Sequence, residues 1–244
     1  EKVATNMDVQ RKIADKYLSW GWKSEDKKVV PFFSILLLSL KNKYDYKNKE
    51  KICFCQSIFS NYFSHLDGLP ILFQDKIFYT QSTNKFFSKL RFDIKKNFSV
   101  RFLNSQTQNR PYHKLIMNKK IKRDCASKNF HSLIKKVKVF IHNQDSTTFL
   151  ETLSANVPTI LVLKKNYLIS RKWEIQKQYL ALEKAKIIFF EAEKAADFLN
   201  FNYDKIETWW ESNKTQKARN LFCKNHAVRS RKPIFSLVSL LNNV

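Results

Sequence analysis

The sequence predicts an α/β fold, a Rossmann-like parallel sheet flanked by helices, and three observations carry that expectation. Residues 137–163 read as strand, hydroxyl-rich turn, short helix, proline and strand. Strand-type and helix-type segments alternate along the chain, the arrangement that builds parallel βαβ units. With 43% hydrophobic residues, 21 Phe and 5 Trp, the 244-residue chain can fill the core of one such domain with extra segments besides.

The elements follow in order. Met7 to Trp20 reads as a short helix running into a Trp20-Gly21-Trp22 turn. The apolar run from Val29 to Leu40, interrupted by Pro31 and two serines, reads as a core element too short to cross about 30 Å of hydrocarbon. Lys51 to Phe59 reads as a strand, Phe78 to Phe102 as two extended runs with a charged break, and Gln106 to Arg110 as a polar loop. Ser127 to Val137 is helical in pattern and leads into a strand made by Val137, Val139, Phe140 and Ile141. Polar residues from His142 to Asp145 end that strand. Asp145 or Ser146 can cap the next helix, whose apolar positions Phe149, Leu150 and Leu153 share one face. Asn156 suits the left-handed position after a helix, Pro158 forbids continuation, and Thr159 to Leu163 reads as a second buried strand. Arg171 to Lys184 reads as a helix, Ala185 to Phe190 as a strand and Ala192 to Asn200 as a helix. A last long helix, about Asp204 to Val228, carries Ile206, Trp210, Leu221 and Phe222 on its apolar face. The chain thus divides into residues 1–30 with the Trp-Gly-Trp turn, a Rossmann-like domain at 31–203, and a terminal helix and tail at 204–244.

A helix that begins right after a strand aims its unpaired N–H groups and positive dipole end at the carboxyl edge of the sheet, where open α/β folds bind ligands. Ser146, Thr147 and Thr148 add hydroxyl donors for phosphate oxygens, and Glu151, one turn on, can accept from a ribose or sugar hydroxyl. His142 either contacts that ligand or closes a hydrogen bond with the turn. Arg101 ends a strand-like run and offers a guanidinium fork suited to phosphate or carboxylate, and Lys164 stands just beyond the second strand. The competing reading is plain capping: Asp, Ser, Thr and Glu at a helix start complement its dipole with no ligand present, and a strand-end arginine can simply be solvated. Only two glycines occur, Gly21 and Gly68, so no glycine-rich phosphate loop or dinucleotide fingerprint is available.

Net charge is +24, and it is uneven: Lys85 to Lys138 contains sixteen Lys or Arg against Asp93 and Asp124 alone. Such a field suits nucleic acid, an anionic inner-membrane surface, or a phosphate-bearing donor or lipid-linked acceptor. Phe and Tyr interleave with Lys over residues 73–102, as in single-strand binders, yet the alternation in Phe98-Ser99-Val100-Arg101-Phe102 assigns most of these rings to the core. Cys53, Cys55, Cys125 and Cys223 lack metal-site spacing and read as reduced thiols. With no signal peptide or membrane span in the pattern, the expected location is cytoplasmic, with peripheral contact at the inner membrane. Trp20 and Trp22 either anchor a glycine turn or stack on a sugar ring, and Trp209 and Trp210 are core residues or half of an interdomain contact.

Gln144 to Ile160 resembles the D-x-x-T-T-x-x-E-x-L-x-x-N-x-P-T signature of a bacterial family of surface-carbohydrate transferases, itself similar to GT-B glycosyltransferases. Ala14 to Trp22 resembles that family's D-x-[FY]-L-T-W-G-W segment, and Ile206 to Trp210 with Gln216 to Arg219 resembles its W-W … x-Q-x-A-R-x-x-F helix. Ala195 to Asn200 fits the helix before it, so the resemblance covers nearly the whole chain. It implies the donor-binding half of a GT-B glycosyltransferase, moving a sugar from a nucleotide-activated donor to a surface-glycan or lipid-linked acceptor. The nucleotide sugar is then a substrate, with no cofactor and no metal, and no Asp-x-Asp motif is present. Arg101, His142, Asp145, Ser146, Thr147, Thr148, Glu151 and Lys164 become the donor contacts, while the acid or base that activates the acceptor is left unassigned. The resemblance further implies a missing N-terminal half with a Q-H-G segment, residues 1–30 being its remnant, so that the chain is either a fragment or one gene of a split pair with a separate N-terminal-half protein as a partner. Two other readings stand beside this one: a non-catalytic basic module on anionic membrane or nucleic acid, and an inactive truncated remnant.

Overall fold

A computed structural model describes residues 6–40, 45, 47–56, 73–101, 122–124, 129–168 and 173–242. Helix α1 (Asn6–Ile13) precedes a small parallel sheet of β1 (Tyr17–Ser19) and β2 (Val29–Pro31), and a 3-10 turn, Ile35–Leu37, follows. The main sheet starts with β3 (Ile52–Cys55), followed by α2 (Phe73–Lys89), α3 (Phe92–Lys96), β4 (Phe98–Arg101) and β5 (Lys122–Asp124). Then come α4 (Phe130–Ile134), β6 (Val139–His142), α5 (Thr147–Ser154), β7 (Thr159–Val162), α6 (Trp173–Lys184) and β8 (Ile188–Phe189). Four helices close the described chain: α7 (Ala192–Asn202), α8 (Ile206–Trp210), α9 (Asn213–His226) and α10 (Pro233–Leu241).

Six parallel strands lie in the order β5-β4-β3-β6-β7-β8. The chain moves outward from β3 to β5, then crosses back to β6 and moves outward the other way, which is the doubly wound Rossmann order. The reversal opens a crevice at the carboxyl ends of β3 and β6, where Cys55 stands opposite His142, with Arg101 opposite Cys55 on the other side. Both sheet faces are covered, so β6 and β7 are buried at every position and read as continuous apolar runs rather than alternating ones. Phe130, Phe140, Phe149, Leu161, Leu182, Trp210 and Phe222 fill one face, and Phe54, Phe86, Phe87, Phe98, Ile141 and Leu199 the other. Each such side chain contributes about 1.5–3 kcal/mol on burial.

The region from Phe78 to Phe102 corrects the sequence expectation. Most of it is helical, in α2 and α3, and only Phe98–Arg101 is extended. Tyr79, Phe86, Phe87, Leu90 and Ile94 are buried, a helical spacing that packs α2 against α7 and outweighs the strand propensity of aromatic residues. The assignment of Phe86, Phe87 and Phe98 to the core stands. Gln106 to Arg110 and Cys125 lie outside the described residues.

The terminal helix is also broken where a single one was expected. A 3-10 turn, Tyr203–Lys205, leads into α8, and Ser212 restarts the chain as α9 by accepting the Thr215 N–H at 3.3 Å. Ile206, Trp210 and Phe222 are buried, but Leu221 faces out. At the other end, α1 stops at Ile13, and Gly21 adopts φ +120° where a Cβ would lie 2.3 Å from Val228 Cγ2. Only glycine lets this turn approach the exit of α9, a contact sealed by Val228 N–H donating to the Trp20 carbonyl at 3.1 Å. No helix among the described residues is long and apolar enough to cross a membrane.

Candidate functional site

The β6–α5 corner lies at the switch point of the sheet. Ser146 takes the extended N-cap conformation, yet its side chain caps no backbone N–H and instead pairs with Thr148 Oγ1 at 2.9 Å. Thr147 is exposed and Thr148 half-buried, so both hydroxyls stand at the solvent end of α5 rather than in the core. The start of a helix uncapped by its N-cap side chain, beside hydroxyls, has the donors that a phosphate requires.

Asp145 does something other than cap. Its Oδ2 accepts from the Tyr179 hydroxyl at 2.6 Å and from the Tyr167 hydroxyl, which ties the corner to α6 and to the turn after β7. Both phenols donate to a charged acceptor, the stronger class of hydrogen bond. His142 is 1% exposed, stacked on Phe140 and edge-on to Phe149. The Thr152 hydroxyl donates to the Phe149 carbonyl at 2.9 Å, so His142 carries its N–H on Nε2, which donates to Thr152 Oγ1 at 3.2 Å. Burial pushes its pKa down to about 3, and the ring is a neutral packing group under α5, closed off from a ligand. Neither option given for His142 matches this geometry: its hydrogen bond goes to Thr152 within α5 and not to the turn.

Glu151 and Arg101 are brought together, although they come from α5 and β4. Glu151 is only 8% exposed; burial raises its pKa to about 7, while the charge of Arg101 pulls it back down. The Arg101 guanidinium carbon sits 5.4 Å from the Phe130 ring centroid. His131, at the start of α4, adds its Nε2 at 3.6 Å from Glu151 Oε2, and Ser39 Oγ lies 2.7 Å from His131 Nδ1. Burial and the neighbouring Lys135 lower the His131 pKa. Lys164 follows β7 at the same sheet edge, but its ammonium lies 6.0 Å from the Phe78 ring centroid, on the α2 side.

Four residues near this edge were missed from sequence. Gln56 and Asn143, both buried, directly follow β3 and β6, and a polar residue immediately after a buried strand was the available signal. His131 and Ser39 gave no comparable signal, since the contact joins residues 92 apart.

The far end of the corner is closed by the chain's C-terminal helices. Asn156 adopts φ 55°, as expected, and its main-chain and side-chain oxygens accept from Trp210 Nε1 at 3.1 and 3.0 Å. Gln216 Nε2 donates to Asn156 Oδ1 at 3.1 Å, and Arg219 Nη1 to the Leu153 carbonyl at 2.8 Å. The residues of the Trp-Trp and Gln-x-Ala-Arg segments therefore satisfy the open carbonyl end of α5. Trp210 is a core residue, and Trp209 packs beside it with Nε1 donating to the Ala185 carbonyl at 2.8 Å.

Residues 1–241 match the model of a protein family described as LIC12162 family transferase. No curated protein sequence matches the chain. Among solved structures, Anabaena Alr3699/HepE in complex with UDP-glucose superposes with TM-score 0.52 and 8% identity over 97% of this chain and 66% of that one. The wall teichoic acid polymerase TagF, soaked with CDPG, superposes with TM-score 0.50 and 11% identity over 98% of this chain and 59% of that one. The chain spans less than two thirds of the length of either. These likenesses agree with the sheet order: the fold is Rossmann-like α/β, of the GT-B type.

Proposed function

From the premise that the chain belongs to the LIC12162 family of transferases, we propose that it binds a nucleotide-activated sugar at the start of α5 and serves glycosyl transfer to a surface-glycan or lipid-linked acceptor. The observation that carries this reading is the N-terminus of α5, not capped by the Ser146 side chain, at the switch point with Thr147 and Thr148 beside it. Glycosyl transfer builds negative charge on the leaving phosphate, and fixed N–H groups at a helix end stabilise that charge without reorganising. Arg101, at the carboxyl end of β4, adds positive charge at the same edge. HepE is a fold relative seen with UDP-glucose, which supports a nucleotide sugar as the ligand class. The basic surface fits work beside an anionic inner-membrane leaflet, where lipid-linked acceptors would be found.

The test is a Thr147→Val, Thr148→Val double variant. Its affinity for UDP is expected to fall at least about tenfold, the loss of one or two hydrogen bonds to a charged group, with the melting temperature unchanged. Calorimetric titration at equal affinity for variant and wild type would falsify the reading. A purely electrostatic basic module predicts the reverse pattern, with steep salt dependence and indifference to the threonines.

A further inference from the structure

We propose that His131 is the catalytic base that takes the proton from the acceptor hydroxyl, with Glu151 behind it as the positioning residue. This rests on the transferase reading of the α5 corner. A hydroxyl, an imidazole and a carboxylate stand in line: Ser39 Oγ at 2.7 Å from Nδ1, and Glu151 Oε2 at 3.6 Å from Nε2. The hydroxyl is on the exposed side and the carboxylate on the buried side. Glu151 Oε2 has no hydrogen-bond partner among the described residues, and a buried acceptor in that state calls for a donor. His131 Nε2–H is the group facing it. That tautomer leaves the lone pair on Nδ1, where the Ser39 hydroxyl donates.

The arrangement follows the logic of an orienting carboxylate behind a histidine base, with the two ring nitrogens exchanged. Ser39 Oγ marks the place an acceptor hydroxyl takes. Glu151 is one turn along α5 from Thr147 and on the same face, so the carboxylate facing the imidazole belongs to the helix whose start is proposed to receive the leaving phosphate. In the transfer step, the acceptor O–H proton moves to His131 Nδ1 and the oxygen forms its bond to the anomeric carbon. The bond from that carbon to the diphosphate breaks, and its electron pair leaves on the phosphate oxygen at α5.

The charges facing this pair set its pH dependence. His131 faces Lys135 on its own helix and Glu151 on α5, and Glu151 also faces Arg101 on β4. Lys135 and burial keep the ring neutral and able to accept a proton. Glu151 is ionised above about pH 7 and then stabilises the imidazolium; below that it is protonated and does not. Transfer therefore weakens as pH falls through about 7.

The experiment compares wild type with His131→Gln and Glu151→Gln, reading UDP affinity by calorimetry and UDP release from UDP-glucose across pH. His131→Gln is expected to slow release about 10²–10⁴-fold with UDP affinity nearly unchanged. Glu151→Gln is expected to slow release and to remove the fall near pH 7. His131 and Glu151 variants that bind UDP and show the wild-type rate and pH profile overturn the proposal and leave the transferase reading standing. A wild type that binds no nucleotide overturns that reading instead. In either case an NMR spectrum of the His131 ring above pH 7 judges the pair: the neutral ring is expected to carry its proton on Nε2, facing Glu151, and a ring protonated on Nδ1 overturns the pairing.

Discussion

The β6–α5–β7 corner and the margin built from β1, β2, the Ile35–Leu37 turn and α10 use their apolar residues in opposite ways. At the corner, every residue of both strands is buried, and polar groups emerge only where the strands end. Along the margin, Ile35 is 76% exposed and Phe235 72%, and α10 has no buried residue. A hollow of about 420 Å³ there is walled by Leu18, Trp20, Phe32, Pro233, Ile234 and Leu237. The contrast separates a region whose apolar demand is met within the described chain from one whose demand is not. Substitutions should consequently behave differently in the two.

The largest effect belongs to the core side of the comparison. Trp210→Ala is expected to cost about 3–5 kcal/mol, from the lost ring and the acceptors it leaves on Asn156, whereas Phe235→Ser on α10 should stay within about 0.5 kcal/mol. Urea denaturation of the two variants checks this, and equal destabilisation would break the distinction between the regions. Next comes Arg219→Ala, which leaves the Leu153 carbonyl with the Asn156 N–H as its remaining donor. A cost of about 0.5–1.5 kcal/mol is expected in thermal melts, with little change in UDP affinity.

The last effect concerns Glu151, and what it tests is a sign. Its folded-state pKa is raised from 4.5 to about 7, so the folded chain holds this proton more tightly than the unfolded chain does. Stability is therefore lost as pH rises through that window and stays reduced above it. Glu151→Gln should melt with wild type at acid pH and above it at alkaline pH. Melting curves that stay parallel across the window would contradict the raised pKa.

The corner was legible in the sequence because its boundaries are chemically marked: a polar cluster stops β6, Asn156 takes the left-handed turn, and Pro158 precedes β7. The segment holding α2 was misread because aromatic residues favour strands, and its helical period emerges only once Tyr79, Phe86, Phe87 and Leu90 are seen to share a buried face. Within the site, Thr147 and Thr148 sit at the solvent end of their helix, a placement fixed by local geometry. The roles of Asp145 and His142 were not legible locally. Asp145 is claimed by tyrosines 22 and 34 residues away, and His142 by the packing beneath α5. Long-range partners of that kind leave no trace in a nearby motif.

The bracing of α5 by Trp210, Gln216 and Arg219 bears on the speed and thermodynamics of recognition. A helix of eight residues frays in water when left to itself, and ordering it at the moment of binding would drain affinity. Anchored at its exit, it meets an incoming anion already rigid. Association should then carry a small entropic toll and little structural rearrangement, with selectivity set by fit rather than by folding on contact.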